Sequence, residues 1–185
     1  TIRGDVHAAL GVIALALNSE DSETAHYAAS VLTSELDAFR SKTRKLRVRI
    51  EEEAGEETEA EEELILYMDS FLKQNLFTGQ ELRKLAAVLD TAAQSLYDKN
   101  PAHMTQELYE SVCLRLMDAK ELAAAEKWCL RLARHHPDCL ASYTCRLKLY
   151  FAMKNRDAFF DTLAALKQSN VVIDRDTLEL IKVFS

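Results

Sequence analysis

Glycine and proline are scarce in this chain, which has four and two of them among 185 residues. Sheets need frequent turns, and turns favour these two residue types, so their scarcity argues against a β-rich fold. Helices with short connections need few of either. The apolar share of 48% is too high for a disordered chain, and the charged share of 29% is ordinary for exposed helix faces.

Positive charge is also in deficit, with 23 Lys and Arg against 30 Asp and Glu and a net charge of −7. General affinity for nucleic acid requires a basic surface that displaces counterions. The balance therefore predicts that nucleic acid is not a partner. A local basic patch remains compatible with it.

Long apolar runs are absent. No stretch reaches the roughly 18 apolar residues of a membrane span, and no signal peptide is visible. The sequence begins at Thr1 without an initiator methionine. We therefore expect a cytoplasmic domain of a longer protein, in which a missing N-terminal segment would supply any membrane anchor.

The four cysteines include no CxxC pair. Cys113 and Cys129 fall on apolar helical positions, which favours buried, reduced thiols and agrees with a cytoplasmic location. His135 and His136 lie near two further cysteines, but adjacent residues of a helix point about 100° apart. Zinc requires four converging ligands, so we predict no metal site and no cofactor.

Apolar residues recur at helical spacing along most of the chain and predict about nine helices. Gly55 is the expected break after the second of them. The predicted helices cover residues 5–17, 23 to the break, 59–75, 78–100, 105–117, 122–135, 140–153, 156–168 and 174–184. Thr78 and Glu81 form the sequence pattern of a capping box, and Asp174 is a plausible cap for the last helix.

Residues 40–49 are strongly basic and residues 51–63 are mostly glutamate. One interpretation is internal pairing across a charged hairpin, at about 0–1 kcal/mol for each exposed pair. The other is a patch for anionic lipid or an acidic protein surface, at about 1 kcal/mol per residue near a charged membrane. The glutamates are predicted to form a solvated face. The patch would comprise Arg40, Arg44, Arg47 and Arg49.

Three positions of one helix face repeat every 34 residues, which is the tetratricopeptide period. Residues 109–137 resemble that repeat, with Ala125 at the small position and Pro137 at the terminating proline. Lys120 stands where the family has its turn glycine. The repeated positions are Tyr109, Cys113 and Leu116, then Tyr143, Leu147 and Tyr150, then Thr177, Ile181 and Phe184.

The resemblance implies an all-α, tetratricopeptide-like solenoid of about nine antiparallel helices with a C-terminal capping helix. Residues 1–100 would form irregular helix pairs with the charged hairpin at about 40–63. Residues 101–185 would form two repeats and the cap of one continuous solenoid.

Tetratricopeptide repeats bind partners and do not catalyse, and no catalytic constellation stands out in the sequence. We therefore predict a non-enzymatic scaffold for protein–protein interaction. Two alternatives stay open: a regulatory module that senses a small anion or nucleotide through Arg44, Arg47 and Arg49, or a homo-oligomerisation domain. The predicted partner groove contains Tyr109, Glu110, Tyr143 and Lys148.

A narrower resemblance rests on ETAHYAASVL at residues 23–32, which follows a segment containing DVHAAL at residues 5–10. These residues look like the start of the soluble region of PelE-type proteins, scaffolds of the Pel exopolysaccharide machinery of biofilms. That resemblance implies transmembrane helices upstream and a cytoplasmic domain tethered to the inner membrane. It also implies contact with a cyclic-di-GMP receptor and a glycosyltransferase.

Overall fold

Helices make up most of the chain that the computed structural model describes, which is residues 21–52, 55 and 57–183. No strand occurs in these residues, so the predicted all-α class is confirmed there. The predicted helix at 5–17 lies outside them, as does Phe184. The helices are α1 (Ser22–Glu52), α2 (Glu59–Leu72), α3 (Gly79–Lys99), α4 (Gln106–Asp118), α5 (Leu122–His135), α6 (Leu140–Ala152), α7 (Arg156–Gln168) and α8 (Arg175–Val183).

Helix ends follow the predicted pattern closely in the second half of the chain. Thr105 accepts a hydrogen bond from the N–H of Leu108 (3.4 Å), and Asp174 accepts one from Thr177 (2.8 Å). The capping box predicted at Thr78 is wrong, because its side chain makes no capping hydrogen bond. Glu81 instead binds a side chain of α1, as described below.

Each helix from α1 to α6 packs against the next one in the chain. In addition, α2 contacts α4, and α4 contacts α6, so alternate helices form a second row of contacts. A main core runs from α1 to α6, and a smaller cluster around Leu147 and Phe159 joins α6 and α7 to the segment before α8. None of the described helices is both long and apolar enough to cross a bilayer.

Helix α1 is held on α2 by an aromatic cluster. Phe39 is fully buried, and its ring centroid lies 4.6 Å from that of Phe71 and 5.3 Å from that of Phe77. Tilted aromatic pairs at this separation add about 0.5–1.5 kcal/mol each beyond the apolar area that they bury. The cluster therefore fixes the middle of α1, beside the basic segment.

The turns between α4 and α5 and between α6 and α7 have the same backbone geometry, 34 residues apart. Lys120 and Lys154 both have a positive φ, of 64° and 57°. In each turn the next residue donates its N–H to the carbonyl oxygen five positions earlier, at 2.9 Å. These are the features of a Schellman helix end. Lys120 and Lys154 thus adopt a left-handed conformation that glycine favours.

We expect Lys120→Gly and Lys154→Gly each to raise the free energy of unfolding by about 0.5–1 kcal/mol. A left-handed conformation costs a non-glycine residue about 1–2 kcal/mol, and the greater entropy loss of glycine offsets part of that gain. The matched control is Lys84→Gly within α3, which should lower the free energy by about 1 kcal/mol. Urea unfolding followed by circular dichroism measures all three. A loss of stability in the turn variants would contradict the assigned geometry.

Glu61 of the acidic run is fully buried, which corrects the prediction that these glutamates form a solvated face. Its Oε1 accepts hydrogen bonds from the Ser95 hydroxyl (2.7 Å) and from the Lys99 ammonium (2.8 Å). Lys99 also donates to the Glu57 carbonyl (3.0 Å). The second carboxylate oxygen of Glu61 has no hydrogen-bond partner among the described residues. A buried ion pair therefore joins α2 to α3.

The four cysteines are free thiols, and Cys113 and Cys129 are buried as the helical pattern predicted. Cys145 is buried with them, whereas Cys139 is half-buried. Hydrogen bonds to Cys129 and Cys145, together with burial, raise the pKa of the Cys113 thiol. Cys113 is therefore a neutral side chain of the core at physiological pH.

Candidate interaction groove between α1 and α3

Helices α1 and α3 both pack on α2 and leave a groove between them. Two adjoining hollows of about 300 and 220 Å³ form it and share Arg47 and Val88. Phe39 and Leu64 are buried at its base, and Ile50 is half-buried at its far end. From Phe39 to Ile50 the groove follows roughly 16 Å of helix, at 1.5 Å per residue. It is long and shallow, with an apolar floor.

Regular spacing on each helix produces the groove. On α1 the lining positions are separated by one, three or four residues, which places them on one face of a helix. The same spacings bring the α3 side chains to the opposite wall. The lining residues of α1 include Phe39, Arg40, Thr43, Arg44, Arg47 and Ile50, and those of α3 include Lys84, Leu85, Val88, Thr91 and Ser95.

Four cations line the groove, and one of them, Arg40, is engaged within the protein. Of the other three, Arg44 and Arg47 come from α1, and Lys84 comes from α3. No ion pair joins any of them to another residue in the described part of the chain. Their charge therefore remains available above the apolar floor, in a protein whose net charge is −7.

The other two arginines of the predicted patch are engaged within the protein. Arg40 lies 3.0 Å from Glu81 of α3 and 3.3 Å from Asp37 of its own helix. The hydrogen bond to Glu81 raises the pKa of the Arg40 guanidinium, so this contact spans one end of the groove as an ion pair. Arg49 lies 3.9 Å from Glu59 of α2. Internal pairing therefore holds for Arg40 and Arg49, whereas the binding of a partner by Arg44 and Arg47 stays a prediction.

Thr43 supplies an unsatisfied hydroxyl to the same groove. Its side chain is only 7% exposed and lines the larger hollow. Oγ1 has no hydrogen-bond partner among the described residues. A buried hydroxyl without a partner costs about 1–3 kcal/mol, so this group lowers the stability of α1 beside the groove.

Tyr109, predicted to anchor a partner, is completely buried and offers no surface. Its ring packs on Trp128 and His135 at centroid distances of 6.1 Å and on His136 at 5.6 Å. The 34-residue period places an aromatic on one helix face but does not distinguish a face that another helix covers from an open one. Tyr109 therefore belongs to the core, and its predicted role as a partner-binding residue is wrong.

The other predicted groove residues lie on α4 and α6. Glu110 is half-buried, and burial raises the pKa of its carboxyl, while the nearby Lys148 ammonium opposes that shift. Tyr143 is half-buried against the smaller core cluster, with the Arg146 guanidinium 5.1 Å from its ring centroid. Glu110 and Lys148 are thus near one another, but with Tyr109 buried the predicted set does not form an open aromatic groove.

Lys84 and Thr43 were not predicted as site residues from the sequence. Lys84, Val88 and Thr91 share one face of α3 by their spacing, which was a signal available in the sequence. That spacing does not say which helix lies opposite. Only the packing of α1 and α3 on α2 brings Lys84 to the arginines.

The histidine pair has structural partners. His135 Nε2 lies 3.1 Å from the Tyr97 hydroxyl, and His136 Nε2 lies 3.0 Å from the Met104 carbonyl oxygen. Within the described ranges, no three His, Cys, Asp or Glu residues are arranged to hold a metal ion.

No protein-family model matches this chain, and no curated protein or solved structure matches it either. The chemistry of the groove therefore carries the functional argument.

Proposed function

We propose that this chain is a non-enzymatic scaffold for protein–protein interaction and that the α1–α3 groove binds an acidic, amphipathic helix of a partner. The observation that carries the proposal is the position of Arg44, Arg47 and Lys84 above an apolar floor. An amphipathic helix would place its apolar stripe on that floor and its carboxylates beside the three cations.

The dimensions of the groove favour a helix over a small anion. A length of roughly 16 Å corresponds to about three helical turns. The hollows, at about 300 and 220 Å³, lie at or below the lower limit of typical small-molecule pockets.

The scaffold is proposed to be a tetratricopeptide-like solenoid. Three features support this arrangement: the turns repeated at 34 residues, the row of contacts along α2, α4 and α6, and the position of α8 after the last hairpin. In such a stack each helix pair buries the face of its neighbour, and a terminal helix covers the last one.

The Pel-type assignment is a further part of the proposal. Of the residues that carry that resemblance, 5–10 lie outside the described part of the chain and 23–32 form the first turns of α1. The groove begins about two turns later on the same helix. The groove partner would then be the cyclic-di-GMP receptor or the glycosyltransferase of that machinery. The domain would lie on the cytoplasmic side of the inner membrane, tethered by a segment upstream.

A photo-crosslinking experiment tests the proposal. Ala87 is exposed and lines the groove, so a benzophenone amino acid at that position should capture the partner in native cells. Mass spectrometry of the crosslinked peptide is expected to identify an acidic, amphipathic helix. We expect the double variant Arg44→Glu/Arg47→Glu to lower the crosslink yield at least roughly tenfold, because each reversal replaces an attraction with a repulsion.

The matched control is Lys45→Glu/Arg83→Glu. It makes the same change in total charge at one position of α1 and one of α3, both outside the groove lining, and it should leave the yield unchanged. Equal losses in both double variants would contradict a groove-specific site. Capture of a basic or purely apolar segment, or binding to anionic vesicles at the same residues, would contradict an acidic, amphipathic helix as the occupant. A partner unrelated to exopolysaccharide synthesis would remove only the Pel-type part.

A further inference from the structure

A second concave surface lies at the other end of the described chain, where α6 turns into α7. It encloses about 470 Å³ and is lined by aromatic side chains from both helices. Phe151 is 67% exposed and Phe160 is 39% exposed, whereas Phe159 is buried beneath them. The Phe159 ring meets Phe160 edge to face at 5.5 Å and Phe151 at 6.4 Å. These rings form a ready-made apolar pocket.

Two cations stand at the mouth of this aromatic pocket. Lys154 occupies the turn, and the Arg156 guanidinium lies 5.5 Å from the Phe160 ring centroid. Neither has an ion-pair partner among the residues that the structure describes. The positive φ of Lys154 fixes the turn that displays it.

The preceding hairpin lacks this surface. Thirty-four residues before Phe151 lies Met117, which is only 8% exposed and belongs to the main core. Phe159 and Phe160 correspond in the same way to Ala125 and Glu126. The surface that is covered in the α4–α5 hairpin is therefore open in the α6–α7 hairpin, and aromatic residues line it there.

We propose that the aromatic pocket is a second docking site, separate from the α1–α3 groove, for an acidic peptide segment of a partner protein that inserts an aromatic or aliphatic side chain. The inserted side chain would pack on Phe151, Phe159 and Phe160. Carboxylates flanking it would pair with Lys154 and Arg156. The two cations favour a ligand that carries carboxylates. The apolar floor favours one that also inserts an apolar side chain, because a fully charged ligand would leave that floor unfilled.

A random twelve-residue peptide library displayed on phage provides the probe. Selection on the wild-type protein is combined with counter-selection on Phe151→Ser/Phe160→Ser. The expected result is enrichment of peptides that combine Asp or Glu with Phe, Trp or Leu. Fluorescence anisotropy of the most enriched peptide then compares variants, and circular dichroism verifies that each variant is folded.

We expect Phe151→Ser, and separately Lys154→Glu/Arg156→Glu, to weaken that peptide at least about tenfold. Two controls should bind within about twofold of the wild type. Leu130→Ser removes an apolar side chain that is 51% exposed elsewhere, and Arg44→Glu/Arg47→Glu alters only the other groove. The second control separates this proposal from the proposed function, since each site is tested with the other intact.

Four results would overturn the proposal. One is that no peptide family distinguishes wild type from the counter-selected variant. Another is that the enriched peptides lack acids or bind equally well after the cations are reversed and at about 0.5 M salt. A third is that Arg44→Glu/Arg47→Glu abolishes binding. The last is a dimer in light scattering that Phe151→Ser converts to a monomer, which would identify a second copy of the chain as the occupant.

Discussion

Replacing Lys99 with methionine is expected to lower the free energy of unfolding by about 3–5 kcal/mol. The Glu61 carboxylate is fully buried, and the Lys99 ammonium lies 2.8 Å from it. Without that ammonium the carboxylate keeps only the Ser95 hydroxyl as a hydrogen-bond donor among the described residues. The large cost arises from the uncompensated charge and not from the attraction that is lost. Urea unfolding at neutral pH measures it.

The double variant Glu61→Gln/Lys99→Met should recover most of this loss, because neither remaining side chain is charged. The matched control is Lys182→Met, which breaks a pair that is 60% exposed on both sides and should change stability by less than about 0.5 kcal/mol. If Lys182→Met and Lys99→Met cost the same, or if the double variant is less stable than Lys99→Met alone, the assigned role of the buried pair is wrong.

The folded protein is expected to lose stability steeply above pH 10 because of Tyr109. Burial raises the pKa of its hydroxyl to about 12, and that hydroxyl has no hydrogen-bond partner among the described residues. Between pH 10 and 12 the unfolded chain gives up this proton while the folded chain retains it. The folded state then binds more protons, so its stability falls as pH rises. At pH 11 this single group accounts for about 1.4 kcal/mol, and by pH 12 for about 2 kcal/mol.

Tyr109→Phe isolates this contribution, since it removes the ionisable hydroxyl and keeps the ring that packs on Trp128. At pH 7 the variant should be as stable as the wild type or more stable by about 1 kcal/mol, because no hydrogen bond is broken. Its advantage should then grow by about 1.4 kcal/mol between pH 9 and pH 11. Tyr27→Phe, at a position 73% exposed, should keep the wild-type pH dependence. A constant difference between Tyr109→Phe and wild type across this range would refute the assignment.

The helices themselves could be predicted from the sequence because their signals are local. The helix Leu122–His135 has its predicted ends, and the basic segment 40–49 continues α1 because nothing in it breaks a helix. Thr78 shows where local reasoning fails. Its predicted partner Glu81 is bound by Arg40 from another helix, and an interaction across 41 residues cannot be read from a four-residue pattern.

The candidate site was only partly predictable for a related reason. Arg44 and Arg47 were recognised from their density of charge, but their availability depends on which neighbours they find in space. Arg40 has identical chemistry and is engaged by Glu81. Tyr109 and Phe151 are both aromatic residues on helix faces, yet one is fully buried and the other is 67% exposed. Helical spacing is the same in both cases, and only tertiary packing separates them.

The ion pair between Glu61 and Lys99 also has a geometric consequence. Helix faces rich in leucine and alanine tolerate sliding, because neighbouring turns present similar shapes to the partner helix. A slide of α2 along α3 by one turn, about 5.4 Å, would separate the two charges beyond hydrogen-bonding distance and leave both in an apolar interior. The ion pair therefore fixes α2 and α3 in one alignment along their axes. Since α1 and α3 both rest on α2, that alignment also sets the width and the register of the groove between them.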